Sequence, residues 1–179
     1  MCEHFGIKPE KVDILMGTFT KSFGAAGGYI CGSKQLIDRL RLGCSSTYTE
    51  SVSIPVAQQI ITAFSHIQSE EGKSKLDQIK ENSKYFHTEL VKMGFLVYGE
   101  IDSPVVPVLL FNLGKVAAFS RMCLERGLAV VVVGYPATPM IETRARFCIS
   151  SSHTREDLDR ALAIVSEIGD ILMLKYGSY

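Results

Sequence analysis

The chain has 179 residues, 46% of them apolar and 21% charged, proportions ordinary for a soluble globular protein. Its nineteen basic and nineteen acidic side chains cancel, which argues against nucleic acid as a main ligand. No apolar run approaches the roughly 18 residues of a membrane span, and nothing at the start reads as a signal peptide.

In chain order, CEHFGIKPEK suggests no regular first element, as expected for the later part of a longer protein. The apolar run VDILMG (12–17) predicts a buried strand, and GYICG (28–32) a second, the two flanking Lys21 like a hairpin. KQLIDRLRLG (34–43) predicts a short helix with Leu36, Ile37 and Leu40 on one face and Gly43 as its stop. From Pro55, a favourable first helical residue, apolar positions recur at Ala57, Ile60, Ile61, Phe64 and Ile67. SEEGKS (69–74) is a polar break and the best place for a domain boundary. A second helix follows, with Leu76, Ile79, Phe86, Leu90 and Met93 inward and Gly94 as its cap. Beyond Gly94, FLVYG, VVPVLLF, AVVVV and RARFCIS predict strands, with a helix over KVAAFSRMCLERG. The final helix starts at Thr154, where Asp157 three residues on makes a near capping box. Its apolar stripe is Leu158, Ala161, Leu162, Val165, Ile168 and Leu172. Residues 1–72 therefore read as part of an α/β domain and 73–179 as a complete small α+β domain.

The chemistry concentrates in GTFTKSFGAAGGY (17–29). A lysine used to bond a carbonyl needs a held position and a reason to lose its proton. Hydroxyls at Thr18, Thr20 and Ser22, with backbone amides bared by Gly24, Gly27 and Gly28, suit a phosphate group. The order of residues is neither a Walker phosphate loop nor a dinucleotide Gly-x-Gly-x-x-Gly. A solvated lysine in a surface turn is the plain alternative. On RARFCIS, Arg144 and Arg146 lie on the same side of an alternating strand. Either could grip a carboxylate bidentately or make a strand-edge salt bridge, and geometry does not choose between them. The five cysteines form no Cys-x-x-Cys pair and fit reduced thiols better than disulfides or zinc. His4, His66 and His87 lack a paired ligand at useful spacing, so no metal is expected.

DILMGTFTKSFGAAGGYICG, followed downstream by VVVVGYPATPMIETRARFCISSSHT and GDILMLKYG, resembles the α-oxoamine synthases, a family of pyridoxal phosphate (PLP) enzymes. The likeness spans nearly the whole chain in order and spacing. It implies an α/β fold of the PLP-dependent transferase fold type I, aspartate aminotransferase-like, with part of the large PLP-binding domain in 1–72 and the small domain in 73–179. By this resemblance Lys21 is the residue that bonds PLP, and Thr18 and Thr20 hold its phosphate. STYTESVSIP (46–55) is the segment that reaches a partner subunit's phosphate, with Thr49 as donor. Glu50 stands where the family carries a small or hydroxylic residue. A carboxylate beside a phosphate is repulsive, so Glu50 points away or the contact is weakened.

Arg146 matches the arginine that grips the amino-acid carboxylate, and GYPATP (134–139) the lid near the substrate. His153 matches a family histidine and is expected to support the Thr154 cap. The carboxylate for the pyridine nitrogen and the ring that covers the cofactor come from an earlier stretch of the family, so this chain alone is expected to be inactive. The resemblance is strongest to the branch whose catalytic long-chain-base subunits condense L-serine with palmitoyl-CoA to 3-ketosphinganine. It implies an acyltransferase at the cytosolic face of the endoplasmic reticulum membrane, paired with a related non-catalytic subunit or with itself. The alternatives are a sister synthase using glycine and an acyl-CoA, or a truncated, non-catalytic subunit that binds a partner.

Overall fold

The computed structural model describes residues 2–44 and 51–176. The chain divides into two compact units, Met1–Gly72 and Lys73–Tyr179.

In the first unit a single 3-10 turn, Pro9–Lys11, precedes β1 (Ile14–Thr18). β1 pairs antiparallel with β2 (Gly28–Gly32), Ile14 opposite Gly32 and Thr18 opposite Gly28. Helix α1 (Lys34–Gly43) begins at Ser33, whose side chain accepts from the Leu36 N–H at 3.4 Å. Helix α2 (Ile54–Gln68) carries Pro55 in its first turn, where a missing N–H costs nothing. The two strands form as expected, but they are not buried. Met16 is 74% exposed and Ile14 and Ile30 about half exposed. A two-stranded ladder offers too little surface to be enclosed, and no layer covers it among the described residues of this unit.

Helix α3 (Glu70–Lys92) starts inside the stretch expected to be a polar break. Only Ser69 interrupts the helical path, with extended backbone at ψ 163°. Its hydroxyl donates to the His66 carbonyl at 2.6 Å and accepts from the Gly72 N–H at 3.1 Å, so the polar residue that ends α2 also caps α3. A Cβ at Gly72 would fall 2.2 Å from the His66 oxygen, and the tight junction therefore requires glycine.

The second unit holds a three-stranded antiparallel sheet of β3 (Val105–Leu109), β4 (Val131–Val133) and β5 (Arg144–Cys148), in the order β3-β5-β4. Helices α4 (Leu113–Glu125) and α5 (Arg155–Ile171) complete it. Ala145 and Phe147 of β5 meet Val106 and Val108 of β3, Phe86 and Leu90 of α3, Phe119 and Cys123 of α4, and Leu158, Leu162, Val165 and Ile168 of α5 in one core. Burial pushes the Cys123 thiol up to about 11, which keeps it protonated. Leu76, expected inward, is 54% exposed because it sits about two turns before buried Ser83, short of where the core begins. FLVYG does not form a strand. It makes only the bridges Phe95↔Lys175 and Val97↔Val108, bounded by Gly94 and Gly99, whose φ of +89° and +87° turn the chain. At α5 the capping box is complete: the Thr154 hydroxyl accepts from the Asp157 N–H at 3.2 Å, and the Asp157 carboxylate accepts from the Thr154 N–H at 2.9 Å.

Two outcomes test this packing. Phe119→Ala, at a side chain with no exposure, should cost about 3–5 kcal/mol in urea unfolding, with an unchanged m-value. The second concerns His87, both of whose ring nitrogens are buried without a partner among the described residues. Burial lowers its pKa from the ordinary 6.5, since the charged ring would be desolvated. The unfolded chain thus binds the proton first, and stability should fall as pH drops from about 6.5 through the lowered folded value. His87→Met should flatten that part of the stability–pH curve.

Candidate active site

The lysine loop spans residues 19–27, between the paired ends of β1 and β2. Three backbone bonds close it: the Phe19 N–H to the Gly27 carbonyl at 3.0 Å, the Ala25 N–H to the Phe19 carbonyl at 2.9 Å, and the Gly24 N–H to the Lys21 carbonyl at 3.0 Å. Gly24 and Gly27 take φ of +58° and +94°, which other residues adopt only with strain.

Aromatic packing fixes the loop from below. Phe19 lies against Phe23 and Tyr29 at centroid distances of 5.3 and 5.5 Å, and Phe23 against Phe64 of α2 at 4.7 Å. The Gln59 side-chain amide, also on α2, donates to the Phe23 carbonyl at 3.3 Å. The sequence reading overlooked this clamp. Its signal was Phe19 and Phe23, placed on either side of the lysine.

On this support, three expected residues come together. The Thr18 and Thr20 hydroxyls lie 2.8 Å apart, and Thr18 Oγ1 accepts from the Thr20 N–H at 3.2 Å. Lys21 follows directly, exposed, and its Nζ has no partner among the described residues. Two adjacent hydroxyls can donate to an oxyanion, and the neighbouring amine can bond a carbonyl carbon. Thr49 and Glu50 lie outside the described residues. No group of three metal-binding side chains occurs among the described residues.

Arg146 belongs to the second unit. It sits on the central strand, opposite Pro107 of β3 and Val131 of β4, and is exposed. Arg144 shares its face and is half-buried. Neither guanidinium has an ion-pair partner among the described residues, so the strand-edge salt bridge is not formed. In GYPATP, the Gly134 carbonyl accepts from the Ala137 and Thr138 N–H groups at 3.0 and 3.2 Å, tightening the β4–β5 connection. His153 does not support the Thr154 cap, which Asp157 completes. Its Nδ1 accepts from the Ser150 N–H at 3.2 Å, and its carbonyl accepts from Asn82 at 2.9 Å. Asn82 also donates to the Ser150 carbonyl at 3.2 Å, tying the turn after β5 to α3. Nothing local in the sequence signals that tie.

The signature of the aminotransferase class I and II family matches residues 2–165, and the chain belongs to that family. It is 54% identical over 183 residues to Serine palmitoyltransferase 2 of Saccharomyces cerevisiae, covering 99% of this chain and 33% of that protein. It is 52% identical over 181 residues to Long chain base biosynthesis protein 2a of Oryza sativa, covering 98% of this chain and 37% of that protein. The chain thus spans about a third of the length of these relatives. Among solved structures, a serine palmitoyltransferase from S. paucimobilis with a bound PLP–myriocin aldimine matches 96% of this chain and 43% of its own, with a TM-score of 0.85 and 25% identity. The fold is that of the fold type I PLP-dependent transferases.

The loop's geometry gives a direct test. A Cβ at Gly28 would lie 2.6 Å from the Gly17 carbonyl oxygen, a backbone atom that cannot swing aside. Gly28→Ala should therefore open the end of the β1–β2 ladder and speed hydrogen exchange at the Phe19 and Ala25 amides at least tenfold, while exchange in β5 stays unchanged. Unaltered exchange at both amides would show that the ladder does not hold the loop.

Proposed function

We propose that this chain is the lysine-bearing part of a serine palmitoyltransferase catalytic subunit. Such an enzyme condenses L-serine with palmitoyl-CoA, releasing CO2 and CoA, to give 3-ketosphinganine. The observation that carries the reading is Lys21, an exposed amine without a partner among the described residues, next to two hydroxyls 2.8 Å apart. The likeness to relatives named serine palmitoyltransferase supports the choice of reaction.

The residues present fit PLP. Lys21 would hold it through Nζ, and Thr18 and Thr20 would donate to its phosphate, with Thr49 reaching a phosphate across a subunit interface. Bound there, the cofactor supplies an electron sink for charge developing at the amino-acid Cα. Arg146 would orient the serine carboxylate, because a planar guanidinium can hold two oxygens at once. Its position on the central strand, paired on both sides, keeps its backbone fixed while the side chain reaches out. The reading extends to a related non-catalytic subunit as partner and to the cytosolic face of the endoplasmic reticulum. No helix among the described residues is long and apolar enough to cross a membrane.

Borohydride reduction of the PLP-loaded full-length protein should leave a pyridoxyl group on Lys21, found by peptide mapping. Label on Lys34 or Lys115 instead would overturn the assignment. With serine and palmitoyl-CoA, mass spectrometry should find 3-ketosphinganine; a product made only from glycine would point to a sister synthase. Arg146→Lys should raise the KM for serine more than that for palmitoyl-CoA, by about 1–3 kcal/mol in kcat/KM, because the fork is lost and the charge kept. Unchanged serine kinetics would move the role to Arg144.

A further inference from the structure

Lys21 opens a tight turn. Its carbonyl accepts from the Gly24 N–H at 3.0 Å, so the peptide unit joining Phe23 to Gly24 closes that turn. The carbonyl of the same unit belongs to Phe23, and it accepts from the Gln59 side-chain amide of α2 at 3.3 Å. In a planar trans peptide the N–H and the C=O point opposite ways. One rigid plane is therefore gripped on both sides, by Lys21 within the loop and by Gln59 from outside it.

Without Gln59 this plane would be the least restrained in the loop. Rotating it needs coupled changes in ψ of Phe23 and φ of Gly24, and Gly24 already stands at φ +58°. Glycine takes either sign of φ with similar ease, so the residue that lets the turn form also lets the plane turn away. Aromatic packing does not prevent this. The Phe23 ring lies 5.3 Å from Phe19 and 4.7 Å from Phe64, but those contacts fix the side chain and not the ψ angle of its backbone. Gln59 acts on the backbone itself: its Nε2 lies 3.9 Å from where a Cβ on Gly24 would stand. Among the described residues, it is the one side chain outside the hairpin that bonds the backbone of residues 19–27.

We propose that Gln59 is a positioning residue for Lys21, whose amide locks the Phe23–Gly24 peptide plane and so fixes the direction in which the lysine leaves the loop. With the plane turned, the Gly24 N–H no longer holds the Lys21 carbonyl and ψ of Lys21 is released. Nζ then loses its fixed relation to the Thr18 and Thr20 hydroxyls, which lie 2.8 Å apart. An amine and a pair of phosphate donors that must meet one molecule depend on that relation, because small misplacements lose binding and rate steeply. This role rests on the reading of Lys21 as the residue that bonds PLP; the lock on the peptide plane does not.

Gln59→Leu keeps the bulk of the side chain and removes its donor. In the chain without PLP, NMR should show exchange at the Gly24 amide about fivefold faster, the effect of one net hydrogen bond, with exchange at Phe19 and Ala25 and the urea midpoint unchanged. Gln59→Lys, which retains an N–H donor, should keep the slow rate. In the full-length protein, Gln59→Leu should weaken PLP binding followed by absorbance about fivefold, while Gln59→Lys retains it. Gly24 exchange unmoved by Gln59→Leu would overturn the lock. Faster Gly24 exchange with unaltered PLP binding would overturn the positioning of Lys21. Phe19 and Ala25 exchanging faster together with Gly24 would make Gln59 a general support of the fold and overturn the proposal too. Borohydride label on Lys34 or Lys115 would instead sink the reading of Lys21, and the Gly24 rate would still decide the lock.

Discussion

The alternation of side chains along β5 is the constraint on which the second unit depends. Ala145 and Phe147 enter the core, while Arg144, Arg146 and Cys148 face the other way. A shift of one residue in its register would bury two guanidiniums and expose the core. The desolvation cost would far exceed anything the helices could offset. Pairing with β3 on one side and β4 on the other prevents that slip. The same ladder that builds the core thus sets which arginines reach solvent.

The first unit is organised on a different principle. Its strands bury little, and its order comes from backbone closure and aromatic packing around one loop. The glycines let the chain turn and approach itself closely at Gly28, while Phe19, Phe23 and Phe64 anchor the turn to α2. Lys21 is left exposed on a rigid base. This division of labour suits a residue that must be both accessible and held, because the entropy of ordering the loop is met by the aromatic contacts and not by the lysine itself.

Arg144 and Arg146 share the side of β5 that faces away from the core. Arg146 pairs with Val131 at the last register position before β4 departs. Asn82 adds rigidity by binding the two carbonyls of the turn that follows β5.

Local physics made much of this legible in the sequence. The helix over 34–43, the strand over 28–32 and the cap at Thr154 were readable because each depends on spacing and on residues within one or two turns. The lysine, its hydroxyls and its glycines were readable for the same reason. What the sequence could not show depends on partners far along the chain. Phe64 meeting Phe23, Asn82 reaching Ser150 and His153, and FLVYG making isolated bridges all follow from three-dimensional neighbours. Burial is of that kind too. VDILMG is apolar enough for a core, yet an apolar strand is buried only when another layer covers it, and only the tertiary structure decides where such layers lie.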